Sequence, residues 1–224
     1  MEILGESYED IPLDRSGKWI AVLGGTFNPV HNGHIAAATY AARQFGARQA
    51  LLIPTNLPPH KTAAGLAPGR DRLEMCEIAC RETNPPDIRF TASDMELSRG
   101  QVSYTADTLR ELEERYGSGR FLWIVGGDML VTLPTWYAYE EILRRAVICG
   151  LPRGRADYEA LRPYAARIRR DGGRVYLAPM SPVAISSTGV RRRAAQGKPL
   201  TGLVPQGVED YIKIHHLYRD GAIC

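Results

Sequence analysis

The chain has 224 residues, 44% of them hydrophobic and 24% charged, with 28 Lys+Arg against 25 Asp+Glu for a formal net charge of +3. A chain of this length buries roughly 70% of its unfolded surface without needing staples, and a charge so evenly spread lacks the concentrated basic stripe of a protein that wraps nucleic acid. Four cysteines (Cys76, Cys80, Cys149 and Cys224) are too scattered for a disulfide framework, and no apolar run approaches the roughly 18 residues of a membrane span.

The opening residues MEILGESYED lack a basic, then apolar, secretory start, so the cytoplasm is the expected compartment. After this polar lead-in over 1–17, the run Trp19–Leu23 ends at Gly24-Gly25 and reads as a buried strand. Spacings of three and four among Ile35, Ala38, Ala42 and Phe45 predict a helix over Gly33–Phe45, closed by Gly46. Gln49–Ile53 reads as a second strand, stopped by Pro54. Strand, helix and strand make a βαβ unit, which crosses over right-handed into a parallel sheet.

The alternation continues with a helix over Arg70–Arg81, whose inward residues are read as Leu73, Cys76 and Cys80, and a strand near Ile88–Thr91. A helix over Thr105–Tyr116 carries Leu109, Leu112 and Tyr116 on one face, and the strand Phe121–Val125 ends in Gly126-Gly127-Asp128. Ala146–Cys149 and Val175–Leu177 supply two more strands. The pattern predicts an α/β fold with a doubly wound parallel sheet, divided into a domain over 18–185 and a small helical C-terminal part of it over 186–224. Such sheets bind ligands beyond the carboxyl ends of their strands, where the strand order reverses. Gly24–His34 and Gly126–Asp128 lie at such ends.

The segment from Gly24 to His34 carries the strongest chemical signal. Two glycines let backbone approach a ligand closely, and a helix N-terminus offers free N–H groups to phosphate. His31 and His34, three apart in the first turn, face one side and can donate to phosphate oxygens. As metal ligands they would need two more, and His60, His215 and His216 stand at no spacing that supplies them. The Walker-type phosphate loop, the dinucleotide-binding glycine fingerprint and the nucleophile-elbow motif are absent from the sequence. Asp128 is placed either to accept hydrogen bonds from a ribose or to cap a helix from Met129 onward. Trp136 is either a stacking ring or a core aromatic, and Thr105 reads as a helix N-cap that also lines a site.

His31-Asn32-Gly33-His34, followed much later by Ile185-Ser186-Ser187-Thr188-Gly189-Val190-Arg191, resembles the paired His-x-Gly-His and Ile-Ser-Ser-Thr-x-x-Arg signatures of nucleotidyltransferases. Within that superfamily the chain is most similar to the bacterial nicotinate-nucleotide adenylyltransferases. The similarity rests on Pro58-Pro59-His60-Lys61, Ser103-Tyr104-Thr105, Gly127-Asp128, Leu133-Pro134-Thr135-Trp136, and Val204-Pro205 with Tyr211-Ile212. It runs from about Trp19 to Tyr218, with Asn28 standing where Asp is common.

The resemblance implies a Rossmann-like fold and transfer of the adenylyl group of ATP to nicotinate mononucleotide, giving nicotinate adenine dinucleotide and pyrophosphate in NAD biosynthesis. It implies His31 and His34 as partners of the α- and β-phosphates and Arg191 as the clamp on the β,γ-phosphates. ATP is further expected against Gly24, Gly25, Thr26, Phe27, Gly127, Asp128, Ile185, Ser186, Ser187 and Thr188. The mononucleotide is expected against Lys61, Ser103, Tyr104, Thr105 and Trp136. Mg²⁺ is expected to arrive mainly on the ATP phosphates, with no protein carboxylate ligand evident in the sequence, and neither nucleic acid nor membrane is an expected partner. The alternatives are an adenylyl- or cytidylyltransferase for another phosphate, such as nicotinamide mononucleotide or phosphopantetheine, a non-catalytic nucleotide-binding module, or an RNA binder using Arg191, Arg192 and Arg193.

Overall fold

Successive side chains of a strand point to opposite faces, so a run that is apolar at every position can only be buried on both. The computed structural model, which describes residues 18–56, 65–83, 85–152, 154–178 and 183–219, satisfies this demand with a central sheet covered on each side. Its first half runs β1 (Ile20–Gly25), α1 (Asn32–Gln44), β2 (Gln49–Pro54), α2 (Gly69–Glu82), β3 (Arg89–Ala92), α3 (Met95–Arg99) and α4 (Thr105–Tyr116). The second runs β4 (Phe121–Gly126), α5 (Gly127–Thr132), α6 (Tyr139–Arg145), β5 (Ala146–Leu151), α7 (Arg155–Arg170), β6 (Arg174–Leu177), α8 (Ser187–Ala195) and α9 (Gln206–Ile214).

All the strand pairings are parallel, in the order β3-β2-β1-β4-β5-β6. The chain builds outward from β1 to β3, then returns to lay β4 along the free side of β1, with Ile20 opposite Phe121 and Leu23 opposite Ile124. Connections on the two sides of this pair leave in opposite directions, which opens a crevice beyond their carboxyl ends. On one face Ala21, Leu23, Leu52, Leu122 and Ile124 pack with α1 and α2 and with Val190, Val208 and Ile212 from α8 and α9. On the other, Val22, Leu51, Phe121 and Trp123 pack with Leu109 and Leu112 of α4, Ile142 of α6 and Leu161, Ala165 and Ile168 of α7. The segment after Ser186 thus shares a core with the sheet.

Several boundaries and one inward face differ from expectation. β1 runs on through both glycines, and β2 keeps Pro54 as its last residue, opposite Gly25, where the missing N–H interrupts nothing further along the ladder. In α2, Leu73 is only half-buried; the inward positions belong to Arg72, Met75, Cys76, Ala79 and Cys80. α7 forms where the sequence reading assigns no element, because its inward stripe is only Leu161, Ala165 and Ile168 among charged residues, with Pro163 inside it. Cys76, Cys80 and Cys149 are free and buried, and burial pushes the Cys80 and Cys149 thiols up to about 12. Among the described residues no helix is long and apolar enough to cross a membrane. The lead-in over 1–17, Cys224 and the stretch from Pro58 to Lys61 lie outside the described residues.

Candidate active site

The crevice beyond β1 is shaped first by glycine. A Cβ on Gly24 would stand 3.1 Å from the Trp123 ring of the neighbouring strand, and one on Gly33 would stand 3.0 Å from His31 Nδ1. The second distance gives the His-x-Gly-His spacing its physical reason. A side chain there would crowd the His31 ring where it folds back over the start of α1. His31 is the N-cap of that helix, in extended backbone, and His34 sits one turn inside it.

The two imidazoles stack with centroids 3.6 Å apart and planes 18° apart, while Phe27 meets His34 edge-on at 5.0 Å. The His31 backbone N–H donates to His34 Nδ1 at 3.2 Å. With Nδ1 accepting, the neutral ring carries its proton on Nε2, which makes that nitrogen a donor. Burial brings His31 down to about 4, and burial reinforced by the charge of His31 holds His34 well below the ordinary histidine range. Both are therefore neutral donors at neutral pH.

That arrangement carries a pH signature. For a histidine whose folded pKa is depressed, the unfolded chain binds the extra proton, so stability rises with pH across the interval between the two values. For His31 the interval runs from about 4 to 6.5, equivalent to about 3 kcal/mol at 1.36 kcal/mol per unit. We expect the unfolding free energy to fall as pH drops through that window, and His31→Gln to flatten the fall. Equal slopes in wild type and variant, measured by denaturant titration at several pH values, would contradict the assignment.

The Ile185–Arg191 segment is bonded directly to the loop after β1. Ser186 Oγ caps α8 by accepting the Gly189 N–H at 3.1 Å, and Ser187 Oγ donates to the Pro29 carbonyl at 2.9 Å. Arg191 donates through Nη1 to the Asn28 carbonyl at 2.9 Å and through Nη2 to Thr188 Oγ1 at 3.4 Å. Asn28 uses both ends of its amide: Nδ2 donates to the Gly65 carbonyl at 2.9 Å, while Oδ1 accepts the Ala67 N–H at 3.0 Å and the Tyr218 hydroxyl at 2.9 Å. An aspartate there could accept but could not donate to Gly65.

Across the crevice, Gly126 is the N-cap of α5, so Asp128 is the second helical residue and does not cap a helix from Met129. Asp128 is exposed at this strand end. The N-cap of α4 is Tyr104, whose side chain makes no capping bond; Thr105 is the first helical residue, contrary to its reading as the cap. The Asp107 and Thr108 amides donate to the Tyr104 carbonyl, leaving those of Thr105 and Ala106 without an acceptor among the described residues.

Ser103 is buried, and its Oγ accepts the Asn56 N–H at 3.2 Å, so it ties α4 to the end of β2. Tyr104 packs its ring 4.8 Å from Tyr137, and Trp136 is half-buried at the edge of the second core with Nε1 donating to Thr132 Oγ1 at 3.3 Å. Lys61 lies outside the described residues. Sequence reasoning missed Arg72 and Tyr218, which brace the loop from behind. The available signal for Arg72 was a charge three, four and seven positions before Met75, Cys76 and Ala79, on a helix face otherwise apolar.

The cytidylyltransferase-like family matches residues 22–193, from β1 through most of α8, which sets the class as nucleotidyltransferase. A protein of Synechococcus sp. (strain JA-3-3Ab) named probable nicotinate-nucleotide adenylyltransferase is 39% identical over 93% of this chain and 99% of its own. A Bacillus pumilus protein of the same name is 36% identical over 90% of this chain and 99% of its own. The chain belongs to the nicotinate-nucleotide adenylyltransferase family. The fold is shared with Plasmodium falciparum nicotinic acid mononucleotide adenylyltransferase complexed with NaAD, at a TM-score of 0.69 and 18% identity, covering 89% of this chain and 96% of that one.

Proposed function

We propose that the protein joins ATP to nicotinate mononucleotide, forming nicotinate adenine dinucleotide and releasing pyrophosphate. The observation that carries this reading is the direct bonding of Ser187 and Arg191 to the carbonyls of Pro29 and Asn28. It sets a fixed guanidinium and two neutral histidine donors around a single loop at the sheet's reversal point. The mononucleotide brings its own nucleophile, a phosphate oxygen already ionised at neutral pH, so no protein base is needed. In-line approach to the α-phosphorus is then a matter of positioning, worth up to about 7–11 kcal/mol, together with stabilisation of charge as it develops. His31 and His34 hold the α- and β-phosphates, and Arg191 takes the charge of the departing β,γ-pyrophosphate.

Mg²⁺ belongs to this reading as a passenger of the triphosphate, whose charge it screens. Among the described residues no group of three or more His, Cys, Asp or Glu side chains is arranged to hold a metal ion. Free buried thiols suit a reducing compartment, and we place the reaction in the cytoplasm. An RNA-binding role for Arg191–Arg193 is disfavoured, because Arg191 donates to Asn28 and Arg193 donates twice to the Pro199 carbonyl.

The unpartnered Thr105 and Ala106 amides at the start of α4 favour the acid form of the pyridine. They can receive a carboxylate, whereas the NH₂ of an amide cannot accept from them. Charge-assisted hydrogen bonds of about 1.5–3 kcal/mol correspond to a preference of about 10- to 150-fold. Pyrophosphate release at saturating ATP, with nicotinate and nicotinamide mononucleotides compared by kcat/KM, tests this. A ratio near one defeats the acid assignment, and no release with either defeats adenylyl transfer.

A further inference from the structure

Arg72 occupies an inward position of α2 and is only 2% exposed. Its Nε donates to the Ala67 carbonyl at 3.0 Å, Nη1 to the Thr26 and Thr55 carbonyls at 2.8 and 2.7 Å, and Nη2 to the Asn56 carbonyl at 3.4 Å. Every acceptor is a neutral carbonyl, and no carboxylate among the described residues pairs with the guanidinium. Its charged-state neighbours are the buried Cys76 thiol and the Tyr218 phenol, both of which burial keeps protonated. An interior charge without a counterion is costly, and such groups persist where something compensates them.

The four carbonyls come from three segments that meet at the crevice: the loop after β1, the end of β2 and the entry to α2. In a trans peptide the C=O and N–H point in opposite directions. Drawing the Thr26 carbonyl back onto Arg72 therefore turns the Phe27 N–H away from α2. Phe27 itself sits at φ +46°, a left-handed conformation that a bulky residue keeps only when its surroundings hold it there. Two residues on, Arg191 holds the Asn28 carbonyl, which fixes the loop from the α8 side.

We propose that Arg72 is a positioning residue that aims the Thr26–Phe27 peptide at the phosphates, and that its charge, unpaired with any carboxylate among the described residues and fixed behind the loop, strengthens binding of anionic ligands. This rests on the reading of the loop as the phosphate site. The planar fork sets the loop; the charge attracts the anion. Lysine keeps the charge without the fork, and methionine keeps neither.

The test compares wild type, Arg72→Lys and Arg72→Met by calorimetric titration with inorganic pyrophosphate and with neutral adenosine, alongside thermal melting and kcat. In folded Arg72→Met, pyrophosphate affinity is expected to fall about tenfold or more while adenosine affinity stays within about twofold. Arg72→Lys is expected to keep pyrophosphate affinity within about threefold yet lose about tenfold in kcat, since the fork that sets the loop is gone. Unchanged pyrophosphate affinity in Arg72→Met, or equal losses for both ligands, overturns the proposal. Should Arg72→Met fail to fold, Arg72→Lys decides alone: affinity retained with kcat lowered supports it, and any other combination overturns it. Wild-type turnover of ATP with nicotinate mononucleotide tests the proposed reaction separately, because the titrations do not depend on which mononucleotide is the acceptor.

Discussion

His34→Ala is expected to keep the fold and to lower kcat/KM by about 10²–10³, the usual cost, about 2.7–4 kcal/mol, of removing one preorganised donor to transition-state charge. His34 suits that role because Nδ1 accepts the His31 backbone N–H, which leaves Nε2 as the donor, and because burial keeps the ring neutral. The position is helical, where alanine is the best helix former, which offsets part of what is lost with the ring contacts to His31 and Phe27 and the bond from the His31 N–H. The variant should melt within a few degrees of wild type. Full activity in such a variant would remove His34 from the site.

Arg191→Ala is expected to cost about 10²–10³ in kcat/KM for ATP, since it deletes both the charge facing the leaving group and the fork that holds it. The KM of the mononucleotide should change little, because that substrate departs with none of the β,γ-phosphates. Arg191→Lys restores the charge but not the two-pronged geometry, so it should recover only part of the loss. Equal weakening toward both substrates would move Arg191 from the ATP side to a role shared by the whole crevice. The bond from Nη1 to the Asn28 carbonyl makes one further outcome informative: a lowered melting temperature in both variants would report the brace that α8 gives the loop.

Local chemistry was legible in the sequence, and contacts made across the fold were not. The helix Thr105–Tyr116 was read to its ends, and α1, α2 and every strand to within a residue or two, because helical apolar spacing and unbroken apolar runs are strong local signals. α7 was invisible for the opposite reason: three inward residues among charges, with a proline inside, outweigh no competing pattern until the sheet is there to cover. At the start of α4, threonine was the expected cap, but Ser103 is spent on the Asn56 N–H and the extended residue is Tyr104, so the helix begins uncapped. The reason for Gly33 lies only two residues away, in the ring of His31, yet it took the folded turn to show that approach. The reasons for Asn28 and Arg72 lie in Gly65, Ala67, Thr55 and Tyr218, which only folding brings to the loop.

The chemical claim on which the rest depends is that the adenylyl group, and no other part of ATP, moves to the mononucleotide. Incubation with ATP radiolabelled at the α-phosphate and nicotinate mononucleotide, followed by chromatography of the products, tests it directly. The account predicts that the label enters nicotinate adenine dinucleotide in equal amount with the pyrophosphate released. Label recovered in ADP or in free AMP, with no dinucleotide formed, would contradict it.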